Sequence, residues 1–472
     1  MAAAQLPIEL AGRRIGVVGL GRSGWAAVEW LLARGARVRA FEDAPPHDLA
    51  ARWAARGDAR AELVIGGRPA EAAGALGDCA LLVRSPGVPA DHPLVVAARG
   101  GGVPVVSEIE LAAAGVTTAV LAVTGTNGKS TTTAWAAHLL EHAGIAAVAC
   151  GNIGHPFSTA ARETPAATFV VEVSSFQLED CPTFHPRAAT ILNISPDHLD
   201  RHGTYTAYAE AKWALTRNQD RDDLLALGPG LLAAAAGRSR ARTLLCDPVD
   251  RGASTALFVH AGGLWWRDRE DERCLLPVGE LALPGQHNQV NAMAAFALAA
   301  SVTEKPARLL PGLRDFPGLP HRLEPAGEVG GVVFVNDSKA TNVDSLRVAL
   351  QSFADPVVLI AGGRDKQGTF ESIAALVGER VRHLVAIGEA AARIRAAYPE
   401  VPAETAPSLE AAVQRALAST GGSGVVLLSP GCASFDMFRD YRDRGEQFKA
   451  LVRALQGADA PAPAGGESPR RR

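Results

Sequence analysis

Apolar residues along this chain fall in short aliphatic and β-branched runs rather than in long stretches. The first runs lie at 14–18, 37–41, 63–65, 80–83 and 103–106, separated by helix-forming stretches, one ending near Arg34 and another starting at Ser107. Runs of this length, bounded by turn residues, predict buried strands. The pattern repeats at 120–123, 168–173 and 189–193, with helices predicted over 133–143, 205–218 and from the 284–291 segment to about Thr303. It returns at 332–335, 356–361 and 425–428, while residues 220–280 carry only weak strand signals. Strand–helix alternation predicts α/β architecture with parallel sheets. At 472 residues the chain accommodates three domains, placed at 1–108, 109–318 and 319–456. The remaining 457–472 is rich in proline, glycine and charge and is predicted to be disordered.

Polar clusters stand where the predicted strands end. The run at 120–123 leads into TGTNGKST (124–131) and then a helix. Backbone N–H groups opening that helix lack partners within it and favour an anion. Gly125 and Gly128 let the backbone approach closely, Lys129 can reach outer phosphates, and the Ser130 hydroxyl can hold magnesium. The general phosphate-loop pattern has a glycine where Val123 stands. Glu172, closing the apolar run at 168–173, is placed for the magnesium of ATP. The first strand leads into GLGRSG (19–24), a Rossmann fingerprint with Glu42 and Asp43 following the next strand. Alone it fits NAD as well as a nucleotide diphosphate. RSPGVP (84–89) is a second turn at a strand's C-terminal end, where open α/β sheets place ligands. Lys212 by itself reads as a surface lysine.

A formal charge of −3 gives no footprint for nucleic acid or a membrane surface, and no apolar run reaches the ~18 residues of a span. The N-terminus lacks the pattern of a secretory signal, and the six scattered cysteines read as buried thiols in a reducing cytoplasm. Only six of 47 basic residues are lysine, and four of them (129, 212, 339 and 366) fall within motifs. Such positions favour a compact ammonium or a neutral amine, which arginine cannot supply.

The phosphate loop resembles that of the Mur ligase family, as do SSFQLE (174–179), TILNISPDHLDRH (190–202), PGQHN (284–288), GLPHR (318–322), DSKATN (337–342) and LLSPGCASFD (427–436). The resemblance implies an N-terminal Rossmann-like domain, a central P-loop ATPase-like domain and a C-terminal Rossmann-like domain. It implies a bacterial cytoplasmic enzyme, expected as a monomer, that forms an amide at the expense of ATP in peptidoglycan synthesis. DSKATN resembles the D-glutamate-adding branch, whose substrates are UDP-N-acetylmuramoyl-L-alanine and D-glutamate. By the resemblance, ATP lies on Gly125, Thr126, Asn127, Gly128, Lys129, Ser130, Thr131 and Asn291, with Arg322, Asp337 and Lys339 from the third domain. The UDP substrate meets Arg22, Ser23, Ser85, Gly87, Asn152 and one of Glu42 and Asp43. D-Glutamate meets Thr341, Lys366, Ser434 and the Tyr441 region. Two magnesium ions are implied, one on Ser130 and Glu172, the other on His198 and on Lys212 carbamylated by CO2. The third domain is expected to close on the central one.

Two other classes account for part of the chain. A nicotinamide-dependent oxidoreductase uses the 19–24 turn but leaves Lys129, Glu172 and His198 without work. A nucleotide switch hydrolyses ATP with no amino-acid requirement. Within the family the alternative is a folylpolyglutamate-type ligase, which lacks the first Rossmann domain.

Overall fold

The computed structural model describes residues 9–66, 72–365 and 369–459. The chain divides into two compact units, Met1–Pro317 and Gly318–Arg472. The larger unit carries two sheets, so the first two domains expected from the sequence pack as one unit. Their cores are continuous: Ala27, Trp30 and Ile109 share a buried cluster with Phe157, Phe169 and Ile191.

The first sheet contains β1 (Arg14–Val18), β2 (Arg37–Glu42), β3 (Ala61–Ile65), β4 (Leu81–Arg84) and β5 (Val105–Ser107). All pair in parallel, in the order β3-β2-β1-β4-β5. The order reverses at β1, and there the 19–24 and 84–89 turns leave neighbouring strands. Such a switch point opens a crevice for a ligand.

The second sheet contains β6 (Val120–Thr124), β7 (Ala147–Gly151), β8 (Thr168–Glu172), β9 (Ala188–Ile191), β10 (Leu224–Leu227), β11 (Arg242–Val249), β12 (Thr255–His260), β13 (Gly263–Asp268) and β14 (Asp271–Pro277). Strands β7-β8-β6-β9-β10-β11 form a parallel run, and β12 to β14 an antiparallel meander. β6 is buried at all five positions between β8 and β9, so the phosphate loop leaves the middle of the sheet. The meander lies in the stretch with weak strand signals. β14 (DERCLLP) has four exposed positions in succession, which dilutes the apolar pattern.

The smaller unit contains β15 (Glu324–Val329), β16 (Val332–Asn336), β17 (Val357–Gly362), β18 (Val381–Ile387), β19 (Ala403–Thr405) and β20 (Gly424–Leu428), in the order β15-β16-β20-β17-β18-β19. Only β15 is antiparallel to its neighbour. The three strands expected from the sequence are β16, β17 and β20, at the centre.

Several expected boundaries move. The phosphate-loop helix starts at Lys129 rather than 133, because its polar first turn is helical, and the helix from Tyr205 ends at Trp213 in a 3-10 turn over Ala214–Thr216. The last helix runs from Tyr441 to Asp459, so residues 457–459 of the expected disordered tail are helical. The rest of that tail lies outside the described residues. Cys274 is exposed, unlike the other five cysteines, and all six are free thiols. Among the described residues no helix is long and apolar enough to cross a membrane.

Candidate active site

The loop after β6 owes its shape to two glycines and an asparagine. Gly125 and Gly128 have φ of 152° and 84°. A Cβ on Gly128 would stand 2.3 Å from Asn291 Oδ1, so the side chain of the Gln286–Ala300 helix reaches the loop only because that position is bare. Asn193, just beyond β9, accepts from the backbone N–H groups of Thr126 and Asn127 at 3.1 and 2.9 Å and donates to Asn127 O at 3.1 Å. It is a side-chain brace on the loop that sequence reasoning missed. The only cue was its place in TILN, at a strand end. The Lys129 ammonium donates to Gly125 O and Thr126 O at 2.8 and 2.7 Å, curling over the loop. Ser130 and Thr131 are buried in the first helical turn. Thr132 Oγ1 donates to Asn291 Oδ1 at 3.2 Å, and Asn291 donates to Asn288 at 3.1 Å. Asn291, expected at the nucleotide, thus stands against Gly128 and Thr132.

Glu172 ends β8, 2% exposed. Asn152 donates to its Oε1 at 2.7 Å, while Oε2 is buried with no hydrogen-bond partner. A desolvated carboxylate oxygen without a partner is costly. A divalent cation would satisfy it, and the oxygen donors of Glu172 and Ser130 suit Mg²⁺. Asn152, expected beside the UDP group, is by contact a partner of this carboxylate.

Lys212 is 1% exposed, on the helix Tyr205–Trp213. Its Nζ donates to Gly125 O at 2.8 Å and lies 4.5 Å from the centre of the Tyr208 ring. Burial, then the like charge of Lys129, pulls its pKa well below the ordinary lysine value against the opposing pull of Asp197 and Glu172. The structure therefore makes it a buried amine beside the loop, not the surface lysine that its sequence alone suggests. His198 has φ of 53°, and its ring meets Phe176 edge-on at 4.9 Å. Phe176 also stacks on His202 and receives the Arg201 guanidinium at 4.3 Å.

Arg201 carries the central sheet's loop to the first domain, donating to Pro86 O and Val88 O at 2.8 and 2.9 Å. Arg84, 2% exposed, ties the same turn to Glu179 and Asp180. Within the first domain, Glu42 accepts from Leu20 N at 2.6 Å and so faces the glycine turn, whereas Asp43 pairs with His92 at 2.9 Å. Ser85 donates to Gly19 O at 2.6 Å and joins the two turns. A Cβ on Gly24 would fall 1.8 Å from Gly19 O, which explains the third glycine of the fingerprint. Arg22 and Ser23 open the helix Arg22–Ala33; Arg22 and Gly87 are exposed.

In the smaller unit, the turns after β16, β17 and β20 are knitted together. Gly431 N donates to Ala340 O at 2.9 Å, and Arg364 and Ala433 exchange backbone bonds at 2.8 and 3.1 Å. Arg444, fully buried, donates to Ser338 Oγ and Ser338 O at 2.9 and 2.8 Å and to Cys432 O at 3.3 Å. Sequence reasoning also missed this residue. Asp337 accepts from Ser429 Oγ at 2.8 Å, and burial pushes its pKa up to about 7. Lys339 lies 3.8 Å from the centre of the Tyr441 ring, and Tyr441 O accepts from Ser338 at 2.8 Å. Ser434 is buried, and Thr341 and Arg322 are half-buried. Lys366 lies outside the described residues.

A phosphate loop on a parallel sheet, with a Rossmann-like sheet before it in the chain and another after it, defines a multidomain nucleotide-binding protein. Family models match its three parts: the Mur ligase MurD-like N-terminal domain at 13–107, the Mur ligase middle domain at 123–229, and the Mur ligase glutamate ligase domain at 321–432. The chain is 40% identical over 460 residues to the UDP-N-acetylmuramoylalanine–D-glutamate ligase of Geobacter metallireducens, covering 96% of this chain and 100% of that one. It is 41% identical over 465 residues to the enzyme of that name from Salinibacter ruber, with 95% and 99% covered. In fold it is similar to the UDP-N-acetylmuramate–alanine ligase of Thermotoga maritima, with a TM-score of 0.56 at 20% identity, covering 94% of this chain and 99% of that one. The chain belongs to the Mur ligase family.

Proposed function

We propose that this chain is the ATP-dependent ligase that joins D-glutamate to UDP-N-acetylmuramoyl-L-alanine in peptidoglycan precursor synthesis. The observation that carries this reading is identity near 40%, across nearly the whole chain, to relatives named for that reaction. The braced loop and the partnerless oxygen of Glu172 support its ATP half.

An alanine carboxylate is a poor electrophile and must be activated. Its oxygen attacks the γ-phosphorus of ATP, the bond to the β–γ bridging oxygen breaks, and ADP leaves an acyl phosphate. The D-glutamate amine then attacks the acyl carbon, loses a proton and expels phosphate. Such transfers depend on positioning and on charge stabilisation. Lys129, uncurled from Gly125 O and Thr126 O, and the loop's N–H groups meet the γ-phosphate. Ser130 and Glu172 would hold one Mg²⁺ and His198 with a Lys212 carbamate a second, together offsetting the negative charge of phosphates and carboxylate. A carbamate needs a neutral amine: its nitrogen bonds to the carbon of CO2 and releases a proton. The depressed pKa of Lys212 supports that step. Asp337, Lys339 and Arg322 are assigned to the nucleotide, and Thr341, Lys366, Ser434 and Tyr441 to D-glutamate. Arg22, Ser23, Glu42, Ser85, Gly87 and Asn152 are assigned to the UDP group, and the enzyme is taken to work as a cytoplasmic monomer.

The deciding experiment is phosphate release from ATP with UDP-N-acetylmuramoyl-L-alanine and D-glutamate, L-glutamate or no amino acid. Release requiring both the nucleotide substrate and D-glutamate is expected. Release with another acceptor would move the chain within its family, and no coupled release would overturn the reading.

A further inference from the structure

The helix that begins at the phosphate loop carries a second constellation at its other end. His138 and His142 stand one turn apart, nine and thirteen residues beyond Lys129, so roughly 13 Å or more along the axis from the loop. Both rings turn to one carboxylate. His138 Nε2 lies 2.8 Å from Asp315 Oδ1, and His142 Nε2 lies 3.1 Å from Asp315 Oδ2. The ring centroids are 4.6 Å apart, and one ligand atom from each residue lies within 4.8 Å of the others.

The arrangement does not depend on its own hydrogen bonds. Asp315 ends the helix Leu310–Asp315, which packs on the phosphate-loop helix through Gly312. A Cβ there would come 3.0 Å from Leu139 and 3.2 Å from the His142 ring. Trp135 donates to Gly312 O at 3.0 Å, and its ring stacks on Phe316 at 4.9 Å with 13° between planes. Close backbone approach at Gly312 and the Trp135–Phe316 stack therefore fix the distance between the histidine pair and the aspartate.

We propose that His138, His142 and Asp315 form a zinc-binding site distinct from the ATP site. Two histidines at i and i+4 present their nitrogens on one helix face, and an aspartate supplies a third, anionic ligand. Tetrahedral zinc, with bonds near 2.0–2.1 Å, sets its donors about 3.3 Å apart. One donor atom from each residue lies within 4.8 Å of the others, so an inward shift of about 1.5 Å or less brings the three to that spacing. A set of two imidazole nitrogens and one carboxylate favours zinc over magnesium, which prefers a shell made mostly of oxygen, so the ion used with ATP competes poorly here. The side chains are 23%, 32% and 51% exposed, open enough for an ion and a water in the fourth position. Bound zinc would clamp the Leu310–Asp315 helix onto the phosphate-loop helix.

The test titrates Zn²⁺ into the full chain against a chromophoric chelator, with Mg·ADP in excess to keep the ATP site filled. Wild type is compared with His142→Asn and Asp315→Asn, all carrying Cys274→Ser to remove the exposed thiol. The expected result is one zinc equivalent lost in both variants, its affinity falling by more than the ~10–100-fold that removing an outer partner costs. ADP affinity stays unchanged and reports intact folding; if one variant loses it, the other decides. Co²⁺ loading should give the visible absorption of a tetrahedral nitrogen–oxygen site in wild type only. Equal zinc stoichiometry and affinity in wild type and variants, or no zinc bound by wild type, would overturn the proposal.

Discussion

Lys212 is an amine held where its charged form is disfavoured. Its nitrogen is buried, close to Gly125 O, and shares the loop with Lys129. The unfolded chain keeps a proton on this lysine up to about pH 10.4, while the folded chain loses it earlier. Stability therefore rises with pH between the two values. The same shift makes the amine nucleophilic towards CO2. Carbon-13 NMR of enzyme equilibrated with labelled CO2 should show a carbamate resonance that Lys212→Ala abolishes, together with at least a ~100-fold fall in phosphate release, the scale for one preorganised electrostatic group. A resonance that survives the substitution belongs to another lysine and removes the second-metal role. Asp337 behaves in the opposite sense. Its folded pKa of about 7 lies above the ordinary 3.8, so between those values the native state holds a proton that the unfolded state has released. Stability of the smaller unit therefore falls as pH rises through that window and stays lower above it. Asp337→Asn should flatten the dependence and raise the Tm of this unit at pH 8, by the equivalent of a few kcal/mol at most, while lowering ligase activity. A variant melting below wild type at pH 8 would contradict the assignment.

Elements bring together what the sequence lists separately. The loop after β6 was legible because glycine, lysine and hydroxyl chemistry is local. Its neighbours were legible only where a motif marked them. Asn193 illustrates the difference: one asparagine after β9 makes three hydrogen bonds to the loop after β6, because β9 lies beside β6 in the sheet. No periodicity predicts which strands become neighbours. Arg444 is a similar case, since the three turns it joins leave β16, β17 and β20 and are far apart in sequence. The contact of Asn152 with Glu172 follows likewise from pairing of β7 with β8. Asn193→Ala should leave two loop N–H groups without their side-chain acceptor. A cost of about 1–3 kcal/mol in stability of the larger unit is expected, with ADP affinity lowered roughly tenfold, measured by urea unfolding and calorimetric titration. Unchanged ADP affinity would mean that the glycines alone shape the loop.

At the scale of the whole chain, strand–helix alternation identified three parallel-sheet domains, but not how they group. The first two join because Ala27 and Trp30 of one share a core with Phe157 and Phe169 of the other, and burial of that kind leaves no mark in local pattern. Gly318–Arg472 instead keeps cores of its own, Leu346, Leu359 and Leu384 on one side of its sheet and Phe334, Val385 and Phe448 on the other. A unit with its own core unfolds as its own cooperative body. Scanning calorimetry should therefore resolve two transitions rather than one. Unfolding enthalpy scales with chain length at about 0.7 kcal/mol per residue near 60 °C, so the 317-residue unit should contribute about twice the enthalpy of the 155-residue one. That ratio identifies each transition without truncating the protein. On the proposed assignment of the loop after β6 to the nucleotide, Mg·ADP should raise the larger transition, whereas Asp337→Asn at pH 8 should move the smaller. A single transition moved by both would mean that the units unfold together, and the stability effects argued for Asn193 and Asp337 would then have to be read on the whole chain.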